Sequence, residues 1–189
     1  MRPLTYTINL TIDGCCDHMA GVPDNDLHRH FSNKLESADA LLYGRVTYQL
    51  MESAWREPGE SGKMADWMEP WMMAFARTVT NARKYVFSST LPSADWNAEL
   101  VRGDAFEFIR DLKQQTGNGL LLGGVKFPQA LANEGLIDEY EFVIHPRIAG
   151  HGPTLFSGLT TYVDLSLTRI SELPSGAVVL TYLPKTHQG

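Results

Sequence analysis

The sequence predicts an α/β fold with a mostly parallel sheet and an antiparallel edge, and three observations carry that prediction. Short apolar or alternating runs recur between amphipathic stretches of helical period along most of the chain. One run, Leu120-Leu121-Leu122, is wholly apolar, as a strand covered on both faces must be. The last two runs, Val163 to Glu172 and Ala177 to Leu183, flank Pro174-Ser175-Gly176 and form an antiparallel hairpin.

Leu4 to Ile12 alternates apolar and polar residues, the period of a half-buried strand, and Asp13-Gly14 ends it with turn chemistry. Pro23-Asp24-Asn25-Asp26 sets acids at the positive end of a helix dipole. Leu27, Phe31 and Leu35 recur four apart and give that helix a buried stripe. Ala40 to Tyr43 is a short apolar strand stopping at Gly44, and Val46 to Trp55 is a helix. Residues 56–63, Arg-Glu-Pro-Gly-Glu-Ser-Gly-Lys, read as a loop because Pro and Gly interrupt helices. A stretch dense in Met and Trp, Met64 to Phe75, follows, with Pro70 expected at a helix start. Lys84 to Ser89 is a strand, and Asp104 to Thr116 an amphipathic helix through Phe108, Ile109 and Leu112. After the Leu120 strand and Gly123-Gly124 comes a helix to about Asn133, then the strand Tyr140 to Ile144.

The composition fits one globular domain over residues 1–189, with 43% hydrophobic and 20% charged residues spread along the chain. A net charge of −6 argues against non-specific nucleic-acid binding, which needs a basic surface. No run approaches the roughly 18 apolar residues of a membrane span, and Met1-Arg2-Pro3-Leu4 has no signal-peptide core. The two cysteines, Cys15 and Cys16, are adjacent and make a poor staple, so small buried thiols and a cytoplasmic setting are expected.

Several chemistries lack their motifs. Gly117-Asn118-Gly119 has Leu122 where a G-x-G-x-x-G fingerprint needs its last glycine. The P-loop, G-x-S-x-G and H-E-x-x-H patterns are absent. His28 and His30, two apart on a helix, point different ways, so no metal site is expected there.

Three segments stand out instead. Gly44-Arg45-Val46-Thr47 turns a strand into a helix whose free N–H groups and Arg45 favour an anion; a capped glycine turn is the plain alternative. Gly123-Gly124-Val125 follows a buried strand and lets a phosphate approach bare backbone; a tight turn is the alternative. Ser88-Ser89 sets hydroxyls at a strand's carboxyl end, where α/β sheets bind ligands, or simply opens a loop. All three fall at predicted carboxyl ends of parallel strands, hence along one rim.

Taken together, these segments carry a resemblance. Gly44-Arg45-Val46-Thr47-Tyr48 resembles the Gly-Arg-x-Thr-aromatic motif of dihydrofolate reductases, Phe87-Ser88-Ser89 their strand-end serines, and Gly123-Gly124 their cofactor loop. Ser37 to Gly44, and Leu136-Ile137-Asp138-Glu139 to Leu155-Phe156, are similar to a sister group. That group holds the C-terminal reductase domain of the bifunctional riboflavin-biosynthesis deaminase-reductase and its stand-alone relatives. The resemblance implies a three-layer dihydrofolate-reductase-like fold and an NADPH-dependent reductase, commonly a homodimer. It also implies that Gly44, Arg45 and Thr47 hold cofactor phosphate and that Ser88 and Ser89 face the adenosine 2′-phosphate. Gly123, Gly124 and Val125 would line the pyrophosphate. Hydride would pass to a small pterin-like or ribosylamino-pyrimidine acceptor.

On the substrate side, Asp26 is the nearest match to the family's early helical acid, one residue further from Phe31 than that pattern has it. Met51-Glu52-Ser53 stands where the riboflavin reductases carry Asp-Asp-Pro. Asp13 is a further candidate beside its reading as a turn residue. The Met64–Phe75 stretch is a core or dimer-contact helix, or a lid that stacks on a flat heterocycle. A non-catalytic NADP-binding regulatory dimer is the alternative function.

Overall fold

The computed structural model describes residues 1–185. Strand β1 (Leu4–Thr11) leads through a loop with a 3-10 turn at His18–Ala20 to helix α1 (Asn25–Ser37). Then come β2 (Ala40–Gly44), α2 (Arg45–Ser61), α3 (Met72–Asn81), β3 (Lys84–Phe87), β4 (Ala98–Val101) and α4 (Ala105–Gln114). Strand β5 (Leu120–Leu122), α5 (Lys126–Asn133), β6 (Glu139–His145) and the hairpin β7 (Leu165–Glu172) and β8 (Val178–Pro184) complete the described chain. The strands form one sheet in the order β4-β3-β2-β5-β1-β6-β8-β7. Every pairing from β4 to β6 is parallel, and β6–β8 and β8–β7 are antiparallel. The class, the parallel sheet and the terminal hairpin agree with the sequence reading.

Side-chain alternation splits the core between the sheet's two faces. Leu42, Tyr85, Leu120 and Leu122 pack on Ile109 and Leu112 of α4 and Leu131 of α5. Their neighbours Leu41, Tyr43, Val86 and Leu121 pack on Leu35, Tyr48, Phe75 and Val79 from α1, α2 and α3. The three leucines of β5 therefore do face both layers.

Strand β1 departs from its half-buried reading, because its polar face is covered by α1 rather than by water. Thr7 and Thr11 are buried, and the Thr7 hydroxyl donates to Glu141 Oε1 at 3.1 Å. Glu141 is only 2% exposed; His30 Nε2 lies 3.0 Å from Oε1 and Lys34 Nζ 2.6 Å from Oε2. Burial pushes its carboxyl up, but the His30 hydrogen bond and the Lys34 charge outweigh burial and leave it below its ordinary range. Beside this seam, Leu27 of α1 packs on Val143 and Val179.

Three local readings change. Residues 56–61 continue α2 rather than forming a loop. Arg56 bonds both Glu52 (2.8 Å) and Glu60 (3.0 Å) along the helix, and Pro58 is buried in it. Gly59 is there for packing: a Cβ would stand 2.0 Å from Thr80 Oγ1 of α3. Met64 to Trp71 is irregular, and α3 begins at Met72, two residues after Pro70, with Met73 N–H bonding back to Pro70 O at 3.3 Å. Strand β4, four half-exposed residues at the sheet edge, carries too short a pattern to stand out.

Glu141→Gln should lower stability by about 2–3 kcal/mol in urea unfolding at pH 7, since it removes the buried carboxylate that Lys34 and His30 share. A depressed carboxyl stabilises above its unfolded pKa, 4.5, so the gap between variant and wild type should close as pH falls below that value.

Candidate functional site

Parallel register brings the three glycine- and serine-bearing segments together. Leu42 is opposite Leu122 and Gly44 is opposite Phe87, so Gly123, Gly44 and Ser88 end three neighbouring strands, β5, β2 and β3. Phe87 is opposite Val101, which brings Arg102 to the same line. The glycines make close approaches there. A Cβ on Gly123 would meet the Tyr43 ring at 3.0 Å, and one on Gly124, φ +104°, would meet Thr47 Oγ1 at 2.4 Å. Thr47, on the first turn of α2, therefore faces the Gly-Gly loop, and Val125 is the N-cap of α5.

Arg45 opens α2, exposed, with its Nη1 3.3 Å from Gln49 Oε1. The Ser88 hydroxyl accepts the Thr90 and Leu91 N–H groups at 3.2 and 3.0 Å, fixing the turn that exposes Ser89. Arg102 braces that turn from outside, donating to the carbonyls of Ser89 (3.2 Å), Leu91 (2.6 Å) and Pro92 (3.1 Å). Among the described residues, neither Arg45 nor Arg102 forms an ion pair with a carboxylate. Sequence reasoning missed Arg102 because it missed β4, which delivers it.

At the other end of the rim, the loop after β1 is laced to the loop after β6. The Asp13 carboxylate takes a hydrogen bond from the Thr11 hydroxyl and then the N–H groups of Ala149 (3.0 Å) and Gly150 (2.7 Å), which hold its pKa well below the ordinary range. Asp13 is thus committed to the turn. His145 is buried, its Nδ1 accepts Val22 N–H at 3.3 Å, and so its proton belongs on Nε2, 3.0 Å from Asn9 Oδ1. Arg147 donates to Ala20 O at 3.0 Å. Cys15 and Cys16 are buried free thiols within this lacing.

Asp26 lies on the first turn of α1, paired with Arg29. Asp24, read from sequence only as a helix-start acid, caps α1 through Oδ1 (2.8 Å to Leu27 N), while its buried Oδ2 has no partner among the described residues. One turn on, His28 packs among Trp71 (4.8 Å), Phe75 (5.0 Å) and Trp55 (5.6 Å), with its buried Nδ1 unpartnered among the described residues. Burial lowers its pKa to about 4 against the opposing pull of Asp24. The Met/Trp stretch divides: Met68, Met72 and Phe75 are buried, whereas Met64 and Trp67 are exposed. Among the described residues, no group of three His, Cys, Asp or Glu side chains could hold a metal ion. No helix there is long and apolar enough to cross a membrane.

The family model of the RibD C-terminal domain matches residues 2–179. The chain belongs to the RibD C-terminal domain family. This RibD-family chain is 27% identical over 186 residues to YyaP, an uncharacterized protein of Bacillus subtilis (strain 168), covering 96% of itself and 94% of YyaP. Among solved structures it resembles a Shewanella sp. PV-4 protein assigned to riboflavin biosynthesis (TM-score 0.73, 22% identity, 97% and 99% coverage). It also resembles the Thermotoga maritima diaminohydroxyphosphoribosylaminopyrimidine deaminase/5-amino-6-(5-phosphoribosylamino)uracil reductase (0.67, 19%), covering 97% of itself and 57% of that chain. The Enterococcus faecalis dihydrofolate reductase complexed with NADP(H) shares the fold at TM-score 0.58 and 13% identity, with 97% of each chain covered. At these identities the structural likeness is one of fold.

His28 and His145 are both held neutral by burial, so each folded pKa lies below its unfolded 6.5. Their contribution is complete above pH 6.5 and is lost as pH falls through that window. Urea midpoints should therefore drop between pH 7 and 5, and His28→Phe, which keeps an aromatic ring but no titrating nitrogen, should flatten that drop.

Proposed function

We propose that the chain is an NADPH-dependent reductase passing hydride to a small heterocyclic or ribosylamino-pyrimidine-like acceptor. One observation carries the reading: Gly44, Ser88 and Gly123 end adjacent strands on one rim, beside two guanidinium groups that, among the described residues, pair with no carboxylate. The residues fit a phosphorylated dinucleotide. Side-chain-free backbone at Gly123 and Gly124, with Thr47 and the Val125 N–H, suits a pyrophosphate. Gly44 keeps the turn into α2 open, and Arg45, Ser88, Ser89 and Arg102 suit a ribose 2′-phosphate. When bound, the nicotinamide supplies the hydride.

The chain's own task is to orient the acceptor, exclude water and deliver a proton to the reduced atom. Of the two acids at the start of α1, we take Asp24 for this role, because Asp26 is engaged by Arg29 while Asp24 keeps a buried oxygen that has no partner among the described residues. The same reading takes the chain as a cytoplasmic homodimer. The outer edge of β7, with Leu167 and Ile170 exposed, supports a second copy seating there.

Fluorescence titration with NADPH and NADH tests the cofactor; absence of binding to either would end this reading. Arg45→Ala should weaken NADPH about 10- to 100-fold while changing NADH by less than about 3-fold. Equal losses would remove the 2′-phosphate assignment.

Turnover screening against dihydrofolate and a ribosylaminopyrimidine phosphate tests the acceptor. Asp24→Asn preserves the helix cap, so it should leave stability nearly intact while lowering kcat by about 10²–10⁴. A loss confined to Asp26→Asn would return the acid to Asp26. Tight NADPH binding with no acceptor reduced would favour a regulatory nucleotide-binding dimer.

A further inference from the structure

Tyr6 is fully buried on the α4–α5 face of the sheet, with the rings of Phe156 and Tyr140 edge-on at 5.8 and 6.3 Å. Its hydroxyl leaves this apolar packing at one point, donating to the carbonyl oxygen of Gly124 at 2.8 Å. Burial foremost, with Cys16 and Tyr140 nearby, raises its pKa, so the hydroxyl stays a donor across the working range of pH. Gly124 adopts φ +104°, open to glycine and closed to L side chains.

Backbone this unencumbered has two peptide orientations within reach. In one, the Gly124 carbonyl turns into the core; the C=O and N–H of a trans peptide point oppositely, so the Val125 N–H turns out. In the other, a carbonyl faces outward and repels any anion that approaches. The glycine that lets a phosphate come close is the same residue that would let the peptide turn over. The bond from Tyr6 selects between the two.

We infer that the Tyr6 hydroxyl is a positioning group, holding the Gly124–Val125 peptide in the orientation that accepts an anion. This rests on the cofactor reading above. Tyr6→Phe keeps the ring against Tyr140 and Phe156 and deletes only the bond. It should raise the Kd for NADPH about tenfold and leave kcat at saturating NADPH within about twofold. Adenosine 2′-monophosphate, which has no pyrophosphate, should bind as to wild type. Tyr140→Phe, which removes a buried hydroxyl from the same cluster, should change neither.

Nitrogen-15 spectra of the nucleotide-free protein give a second readout: the Val125 amide should broaden in Tyr6→Phe as the peptide samples both orientations. An unchanged NADPH Kd in that variant would overturn the inference. If wild-type protein binds neither NADPH nor NADH, the cofactor reading fails by itself, and the Val125 amide then decides: broadening keeps the hold of Tyr6 on the peptide, and a sharp, unshifted signal ends it.

Discussion

Two charged side chains buried on the same face of the sheet hold the strands level, and the rim depends on that. Lys84 of β3 has no exposed surface, and its ammonium donates to the carbonyls of Thr80 in the last turn of α3 (3.3 Å) and of the C-cap Ala82 (2.8 Å), above the Trp96 ring at 4.1 Å. Glu141 of β6 is tied to His30 and Lys34 of α1. A one-residue slip in register would turn either group to the opposite face, among the apolar side chains that pack on α4 and α5. An unpaired buried charge costs several kcal/mol, more than any gain the apolar residues could return by shifting. The alignment of Gly44 with Phe87, and of Leu42 with Leu122, is thereby protected by groups that lie well below the rim.

The rim itself is electrically divided. Its β2–β4 end carries Arg45, Arg102 and the N-terminus of α2; its α1 end carries Asp24 beside two histidines kept neutral by burial. A ligand with phosphates at one end and an uncharged reacting ring at the other matches that division in one orientation only. Protonating His28 or His145 would add positive charge at the end where Arg147 already stands, and so weaken that division.

Where the chain announces its structure and where it conceals it follows from how local the determining physics is. Turn and cap chemistry is local, so Asp13-Gly14, the start of α1 at Asp24 and the Gly123-Gly124 break are legible in the sequence. The apolar run of β5 and the hairpin are legible for the same reason. The Pro58-Gly59 pair misleads because its meaning is tertiary: glycine is needed where α3 presses on α2, and the Arg56 bonds carry the helix past the proline. The polar face of β1 misleads in another way. Alternation signals one polar face, but only the partners His30, Lys34 and Glu141, distant in sequence, make that face an interior one. Arg102 and Tyr6 were hidden because an exposed arginine and a core tyrosine have no distinguishing pattern; only the carbonyls they reach reveal them.

Helix α3 then sets what the α1 end of the site can be. It packs against α2 through Gly59 and Thr80 and against α1 through Phe75 and Leu35, so the space between α1 and α2 is filled by protein. The His28, Trp55, Trp71 and Phe75 rings close that packing just beyond Asp24. An acceptor reaching Asp24 therefore has to come along the sheet rim, where the cationic end also lies, and cannot thread between the two helices. Under the proposed reading this favours a compact acceptor whose reacting ring meets the acid while the rest of the molecule stays at the rim.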